Sequence, residues 1–195
     1  MTWVAAVWHA DATLIAGLGD GVDVRRAIED QGFYANSAQF DGFVAGRSGH
    51  WPDALSVLGR RVWAWRVTEH VPKIGTQSCA VAMVSLMRRN PSLDHDEFVA
   101  HWTEHHAPLA LRRHVGLADY RQYVVDETLT AETPEIDGIA VLGFATRADF
   151  DDRFFDSDAG RAEIMDDVAR FMDRPGRETT LVGPAATTEV SQAAG

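Results

Sequence analysis

Cysteine is almost absent from this sequence, since Cys79 is the only one among 195 residues. A lone cysteine cannot form an internal disulfide, which excludes the disulfide frameworks of small secreted proteins and indicates a reducing compartment. Long hydrophobic runs are also missing, because no apolar stretch reaches the roughly 18–20 residues that cross a bilayer. Residues 1–4 lack the basic and apolar segments that begin a secretory signal peptide. We therefore expect a cytoplasmic protein with no membrane partner.

Positive charge is scarce as well. The sequence has 29 acidic residues against 18 lysines and arginines, which gives a formal net charge of −11. Such a chain is repelled by the phosphate backbone of nucleic acids, and binding one would require a concentrated basic stripe. The arginine pairs at 60–61, 88–89 and 112–113 are short and scattered. The sequence therefore indicates no nucleic-acid partner.

Hydrophobic residues are plentiful, at 46% of the chain, so a substantial core can form. The clearest pattern begins with an apolar run at residues 79–87, which predicts a strand. A helix follows, capped by Asp94 with Glu97 three residues later, as in a capping box. Its predicted buried stripe has three- and four-residue spacing and consists of Phe98, Trp102, His105 and Leu109. The remaining predicted elements are strands at 120–125, 139–144 and 179–182, and a helix over 149–173 that breaks near 156–158.

This β-α-β-β-α-β order is the ferredoxin-like arrangement, which leaves one sheet face to be buried by another unit. The residues before position 75 offer such a partner. Their predicted elements are strands at 4–8 and 62–67, a helix at 22–31, and weaker strands at 40–44 and 55–58. We therefore predict an α+β fold with two ferredoxin-like units per chain, packed sheet to sheet. Residues 1–75 would be a degenerate N-terminal unit, residues 76–183 the second unit, and residues 184–195 a disordered tail.

The second unit resembles the EthD-like proteins. The resemblance extends over residues 80–182 and includes the aromatic-rich stretch H-W-x-x-x-H-x-P-L from His101 to Leu109. The other residues that carry it are the run at 86–93, Glu97-Phe98, Gly116-Leu117, Tyr120, the run at 137–140, the run at 154–157, Asp167, Phe171 and Asp173.

The resemblance implies a dimeric α/β barrel made from two ferredoxin-like units, with a ligand cavity between sheet and helices. Members of the family are associated with ether degradation, polyketide cyclisation, dehydration and cofactor-independent oxygenation. Some wider relatives of the barrel bind haem. The resemblance thus indicates the fold more closely than the reaction.

Three residues are the catalytic candidates: His106, His101 and Asp167. The resemblance favours His106, and Pro108 limits the regular helix nearby, so the His106 ring can leave the packed stripe and face a cavity. A neutral imidazole gives or takes a proton at neutral pH. His101 lies beside the stripe and could point into the same cavity, and Asp167 belongs to the acidic part of the resemblance and could orient a histidine. The structural alternatives are helix-end or boundary histidines and a solvated acid.

Helical periodicity and the resemblance disagree about two adjacent histidines. Periodicity places His105 on the buried stripe, whereas the resemblance favours His106. Residues 101–105 also satisfy H-x-x-E-H, in which two histidines on one helix face bind zinc and the glutamate is a base. A zinc site needs a third ligand, which the pattern does not supply, so we expect no bound metal.

Four aromatic residues are candidates for substrate binding. Trp102 lies on the stripe, and Tyr120 and Phe171 come from the resemblance. Tyr123 cannot share a strand face with Tyr120, because the two are an odd number of residues apart. Trp65 belongs to a tryptophan-rich strand and would be either core or the wall of an aromatic pocket.

These features predict a cofactor-free enzyme of lyase, isomerase or cyclase type, with acid–base chemistry on a hydrophobic or polycyclic small molecule. It would resemble polyketide cyclases and serve small-molecule catabolism. His106 would move the proton, with His101 or Asp167 orienting it. The alternatives are a non-catalytic carrier or sensor, and a haem-binding or cofactor-independent oxygenase. A homodimer is compatible with this arrangement but is not required by it.

Overall fold

The computed structural model describes residues 2–8, 22–32, 38–46, 61–76, 78–173 and 178–187. Its strands are β1 (Thr2–Val7), β2 (Val22–Arg26), β3 (Gly42–Gly46), β4 (Val62–Lys73), β5 (Val81–Arg89), β6 (Leu117–Thr128), β7 (Gly138–Phe144), β8 (Met172–Asp173), β9 (Thr179–Val182) and β10 (Ala186–Thr187). Its helices are α1 (His95–Ala100), a π-helix (His101–His106), α2 (Ala107–Arg113), α3 (Arg147–Arg153) and α4 (Asp158–Phe171). In these ranges no helix is long and apolar enough to cross a membrane.

Two sets of four antiparallel strands have the same spatial order. The first set runs β2-β3-β1-β4, and the second runs β6-β7-β5-β9. In each set the first and last strands along the chain are neighbours in space, as in a β-α-β-β-α-β unit. The predicted α+β fold with two ferredoxin-like units is therefore confirmed.

The two sets join at both edges and form a closed barrel within one chain. At one seam β4 pairs antiparallel with β6. At the other seam the Ile28 N–H donates to the Leu181 carbonyl at 3.0 Å, and the Gly183 N–H donates to the Arg26 carbonyl at 2.7 Å. Closure removes the exposed strand edges that would otherwise pair with other chains.

A buried glutamine reinforces the second seam. The Nε2 of Gln31 donates to the Leu181 carbonyl at 3.1 Å, and its Oε1 accepts from the Leu181 N–H at 2.7 Å. The side-chain amide thus pairs with Leu181 as a backbone amide of a neighbouring strand would. Because Gln31 and Leu181 come from opposite ends of the chain, this contact ties the two units together.

Side chains alternate between the barrel interior and its outer surface, as expected for strands with both faces covered. On β5, Ala82, Val84 and Leu86 belong to the interior cluster, while Val81 and Met87 belong to the cluster under the helices. The interior of an eight-stranded barrel is just wide enough for side chains to fill. A ligand site is therefore expected outside the barrel, between the second sheet and its helices.

The sequence predictions for the first unit were partly wrong. The helix predicted at 22–31 begins instead as β2, whose buried Val22 and Val24 alternate with more exposed neighbours, so a strand period overrides the helix-forming residues that follow. The weak strand at 40–44 corresponds to β3, and the candidate at 55–58 lies outside the described residues. The tail expected to be disordered starts with β10, which pairs with β2.

Candidate active site

The helix that carries the candidate histidines has a well-defined start. The Asp94 carboxylate accepts from the Glu97 N–H at 2.8 Å, and the Glu97 carboxylate accepts from the Asp94 N–H at 2.9 Å. This confirms the predicted capping box, which satisfies two backbone donors at the helix end. The first turn is thereby held in place, and with it the direction in which the later side chains point.

A π-helix at the centre of this helix brings two histidines onto one face. The Ala107 N–H donates to the Trp102 carbonyl five residues earlier. In a regular α-helix, positions five apart differ by about 140° around the axis. A π-helical turn instead stacks such positions. His101 and His106 consequently point the same way, and His105, predicted to be buried, is exposed.

Asp167 of α4 receives hydrogen bonds from both histidines. Nδ1 of His106 donates to Oδ2 at 2.8 Å, and Nε2 of His101 donates to Oδ1 at 3.0 Å. Burial raises the pKa of Asp167, but the hydrogen bonds from His106 and His101 offset this, so that the pKa lies below its usual value. Because an ionised carboxylate only accepts, the neutral His106 ring carries its proton on Nδ1 and leaves Nε2 basic. The three predicted catalytic residues are thus brought together.

Phe171 lies behind these histidines. Its ring centroid is 5.0 Å from that of His101 and 4.9 Å from that of His106. It follows Asp167 by four residues on α4, so the carboxylate and the ring share a helix face. Phe171 is fully buried and is not among the residues that line the cavity described next. It therefore fixes the imidazoles, which differs from the substrate contact predicted for it.

A cavity of about 220 Å³ lies between the second sheet and the helices. Three residues on the sheet side of the cavity are neighbours on adjacent strands: Tyr120 lies opposite Leu142, and Leu142 lies opposite Met83. Four methionines, which adapt to ligand shape, make part of a mainly apolar lining. The lining residues are Met83, Ser85, Met87, Trp102, His106, His114, Tyr120, Ala140, Leu142, Phe154, Phe155, Ile164, Met165, Val168, Met172 and Thr179.

Tyr120 is held as a hydrogen-bond donor in this lining. Its oxygen accepts from Trp102 Nε1 at 3.3 Å and from Gln122 Nε2 at 3.0 Å. These two bonds use both lone pairs and leave the hydroxyl proton to be donated elsewhere. Burial raises the pKa of Tyr120 to about 12, although both hydrogen bonds act in the opposite direction. The phenol is therefore protonated at neutral pH.

His114 is a cavity residue that the sequence analysis did not single out. It ends α2, and its Nδ1 donates to the Phe154 carbonyl at 2.7 Å. Burial is the main reason that its pKa falls to about 4, with the nearby His106 acting in the same direction and the hydrogen bond to Phe154 opposing it. The signal in the sequence was its spacing, because His114 continues one row of buried residues that recurs every four positions: Phe98, Trp102, His106, Ala110 and His114.

Of the two alternatives predicted for Trp65, core and pocket wall, the structure shows the core. Trp65 lies in the barrel interior, where its Nε1 donates to the Pro134 carbonyl at 3.2 Å, so it is separated from the cavity by the sheet. The H-x-x-E-H pattern does not form a zinc site, because His101 turns to Asp167 while His105 is exposed. Over the described ranges, no group of three or more histidine, cysteine or acidic side chains is arranged to hold a metal ion.

Comparison with known proteins bears on the fold and the family. The model of the EthD domain matches residues 90–175, which include the π-helix and Asp167. No curated protein matches the chain. Among solved structures, an anthrone oxidase-like protein is 12% identical with a TM-score of 0.58, over 99% of this chain and 95% of that chain. A mutant chlorite dismutase from Candidatus Nitrospira defluvii is 13% identical with a TM-score of 0.57, over 95% and 91% of the two chains.

At these identities the likeness to the solved structures shows the fold alone. The EthD domain covers the part of the chain that holds the two histidines, Asp167 and much of the cavity lining. Fold and domain therefore agree with the resemblance seen in the sequence. Residues 90–175 therefore match the EthD domain, as the resemblance of the second unit implied, and the fold is of the dimeric α/β-barrel type.

Proposed function

We propose that the protein is an enzyme that moves a proton on a small, mainly apolar substrate, with His106 as the general base. The His106–Asp167 pair carries this proposal. Asp167 holds Nδ1 of the ring, and the ring lines the cavity, so Nε2 is the atom available to a substrate. The ionised carboxylate stabilises the imidazolium that forms when Nε2 accepts a proton. A positioned base of this kind contributes about 10²–10⁴ in rate.

Tyr120 supplies the complementary group. Because Trp102 and Gln122 hold its oxygen, the hydroxyl is a preorganised donor to an oxygen atom that gains negative charge. Trp102 therefore both lines the cavity and positions Tyr120. His101 holds the second oxygen of Asp167 and is a positioning residue for the base.

The reaction class that this set supports is enolisation. His106 Nε2 removes a proton from a carbon next to a carbonyl group, and the Tyr120 hydroxyl hydrogen-bonds to the carbonyl oxygen as it becomes an enolate. The imidazolium then returns the proton to carbon, which isomerises the substrate without a net change in its atoms. In a lyase reaction the enolate expels a leaving group from the β carbon, and that group takes the imidazolium proton. In a cyclisation the enolate carbon attacks a second carbonyl carbon of the same substrate, and the oxygen of that carbonyl takes the proton.

The cavity size narrows the substrate class. Its volume of about 220 Å³ is smaller than the roughly 300–1,000 Å³ of pockets that hold drug-sized ligands. It suits a molecule of one or two rings better than the polycyclic substrate expected from sequence. A porphyrin is larger than a drug-sized ligand, so the described cavity does not fit haem.

The test measures proton exchange on a model ketone. 1-Tetralone is an apolar two-ring ketone, and exchange of its C2 hydrogens in D₂O is followed by NMR. In His106→Asn, the side-chain amide can still donate to Asp167 while the basic Nε2 is lost. We expect catalysed exchange to fall by about two orders of magnitude or more, with a melting temperature near that of the wild type.

His105→Asn is the matched control, because His105 is the adjacent histidine and is exposed. It should exchange 1-tetralone at the wild-type rate. Equal rates in the wild type and His106→Asn would contradict the assignment of the base. Binding of 1-tetralone with no catalysed exchange in the wild type would favour the carrier or sensor over the enzyme.

A further inference from the structure

We propose that His114 selects the ligand of this cavity: its Nε2 accepts a hydrogen bond from a hydroxyl or N–H group on an otherwise apolar molecule. The inference deepens the proposed function and rests on it for the place where the substrate binds. It assigns to His114 a recognition role that is separate from the proton transfer at His106.

The hydrogen bonding of His114 identifies its tautomer. Nδ1 lies 2.7 Å from the Phe154 carbonyl, and a carbonyl oxygen can only accept, so Nδ1 carries the proton. In a neutral imidazole the other nitrogen is then an acceptor. No described residue forms a hydrogen bond with Nε2 of His114, although the ring lines the cavity and is only 4% exposed.

The surroundings keep this ring neutral and fixed. Phe154 packs edge-on at 4.6 Å between centroids, and Phe155 lies at 5.1 Å. Burial lowers the pKa of His114 to about 4, so the ring does not become a donor at neutral pH. An acceptor in a fixed orientation meets a ligand without reorganisation, which favours recognition.

A purely structural role for His114 accounts for only one of its two ring nitrogens, Nδ1. The bond from Nδ1 to Phe154 ties the end of α2 to the segment between α3 and α4. That task needs one donor, which an asparagine side chain also supplies. It does not account for the second nitrogen, because the ring lines a mainly apolar cavity and a ligand without a donor would cover that nitrogen and leave it unpaired.

An unmatched acceptor discriminates between ligands. A molecule with a donor satisfies Nε2, whereas an analogue without one leaves the nitrogen desolvated and unpaired. Sites built around such a bond reject the analogue more strongly than apolar pockets reject a change in size. The complementary ligand is therefore an apolar ring compound with a phenolic or enolic hydroxyl, or with a ring N–H.

The test compares 2-naphthol with two analogues that cannot donate, the smaller naphthalene and the larger 2-methoxynaphthalene. Dissociation constants are measured by fluorescence or calorimetry on the full chain. We expect the wild type to bind 2-naphthol about tenfold more tightly than either analogue. In His114→Asn, which keeps the donor to Phe154 but lacks Nε2, the three ligands should bind alike. His106→Asn should keep the preference.

Several outcomes overturn the proposal. The first is that the wild type shows no preference for 2-naphthol, which includes the case in which it binds none of the three ligands. Another is a preference that survives in His114→Asn or disappears in His106→Asn. If His114→Asn does not fold, ¹⁵N NMR of the wild type decides. The Nε2 resonance of His114 must then move on addition of 2-naphthol and stay in place with 2-methoxynaphthalene.

Failure of this inference is separate from failure of the proposed function. If the preference for 2-naphthol is lost in His106→Asn but kept in His114→Asn, the role of His114 is refuted. The assignment of His106 as the general base is not affected by that result. Normal 1-tetralone exchange in His106→Asn would refute the base while leaving the binding experiment valid.

Discussion

Asp167 connects two histidines that have different surroundings. The His106 side chain is 10% exposed and faces the cavity, whereas the His101 side chain is 23% exposed and does not line it. The carboxylate is thus shared between a ring that meets the substrate and a ring that anchors the carboxylate. Asp167 on α4 thereby accepts hydrogen bonds from the first and last residues of the π-helix.

His114 should make the stability of the protein depend on pH. Its pKa is lowered to about 4 in the folded chain, mainly by burial, whereas a histidine in an unfolded chain titrates near 6.5. The unfolded state therefore takes up the proton first as pH falls. The contribution of neutral His114 to the free energy of unfolding is fully present above pH 6.5. It amounts to about 3 kcal/mol and is lost as the pH falls from about 6.5 to 4.

Urea unfolding at pH values from 7.5 to 4.5 measures this effect. His114→Asn should show a smaller decline in the free energy of unfolding over that window than the wild type, while the exposed-site variant His105→Asn should decline as the wild type does. Protonation of Asp167 lowers the free energy of unfolding further at lower pH, because its pKa is depressed below the usual carboxyl value in the folded chain. Parallel curves for the wild type and His114→Asn would show that His114 is not buried in its neutral form.

At the level of elements, the central helix shows what its sequence could predict. The start was predictable, because the capping box uses local residues only. The buried face was predicted with a period of 3.6 residues, which selected His105 and Leu109. Leu109 is buried as predicted and His105 is exposed, and one row of buried residues recurs every four positions from Phe98 to His114. A spacing of four advances about 40° per step in an α-helix and would leave the buried face, and the π-helix compensates for this drift.

The capping box offers a test at this scale. Asp94→Ala removes the acceptor for the Glu97 N–H and disturbs the reciprocal bond. We expect a loss of about 1 kcal/mol in the free energy of unfolding. Asp96→Ala is the matched control, since Asp96 is an exposed acid in the same first turn. Equal losses in both variants would mean that charge at the helix start matters and that the capping bonds do not.

The strands of the second unit were predicted well because their apolar runs are long and bounded by clear turns. The first unit was harder, and residues 22–31 were assigned to the wrong class. Strand β2 is short and its identity depends on pairing with β3 and β10, which are distant in sequence. The choice between core and pocket wall for Trp65 could not be made from the sequence for a related reason. Which face of a strand points into the barrel depends on closure, and closure is not a local property.

For the whole molecule, closure within one chain means that the barrel does not need a second copy to complete it. A homodimer remains a proposal about the outer surface. The seam between the units is where the barrel depends on contacts between residues far apart along the chain. Gln31 and Leu181 lie at its centre, with both partners buried.

Gln31→Ala should weaken the seam. The substitution removes the acceptor for the Leu181 N–H and a donor to the Leu181 carbonyl. A buried donor without a partner costs about 1–3 kcal/mol, so the midpoint of urea unfolding should fall accordingly. Glu29→Ala, an exposed position two residues earlier, should leave the midpoint almost unchanged. An unchanged midpoint in Gln31→Ala would show that main-chain bonds alone hold the seam.

The cavity belongs to one half of the barrel. Its described lining residues all fall between Met83 and Thr179, and strands β1, β3 and β4 supply inward-facing side chains that fill the barrel instead. Protein engineering can therefore treat the halves separately. Libraries at inward-facing positions of the first half can raise thermal tolerance, and libraries at cavity positions of the second half can retarget the substrate. Gains of the two kinds should add, because a closed sheet stands between the two sets of residues.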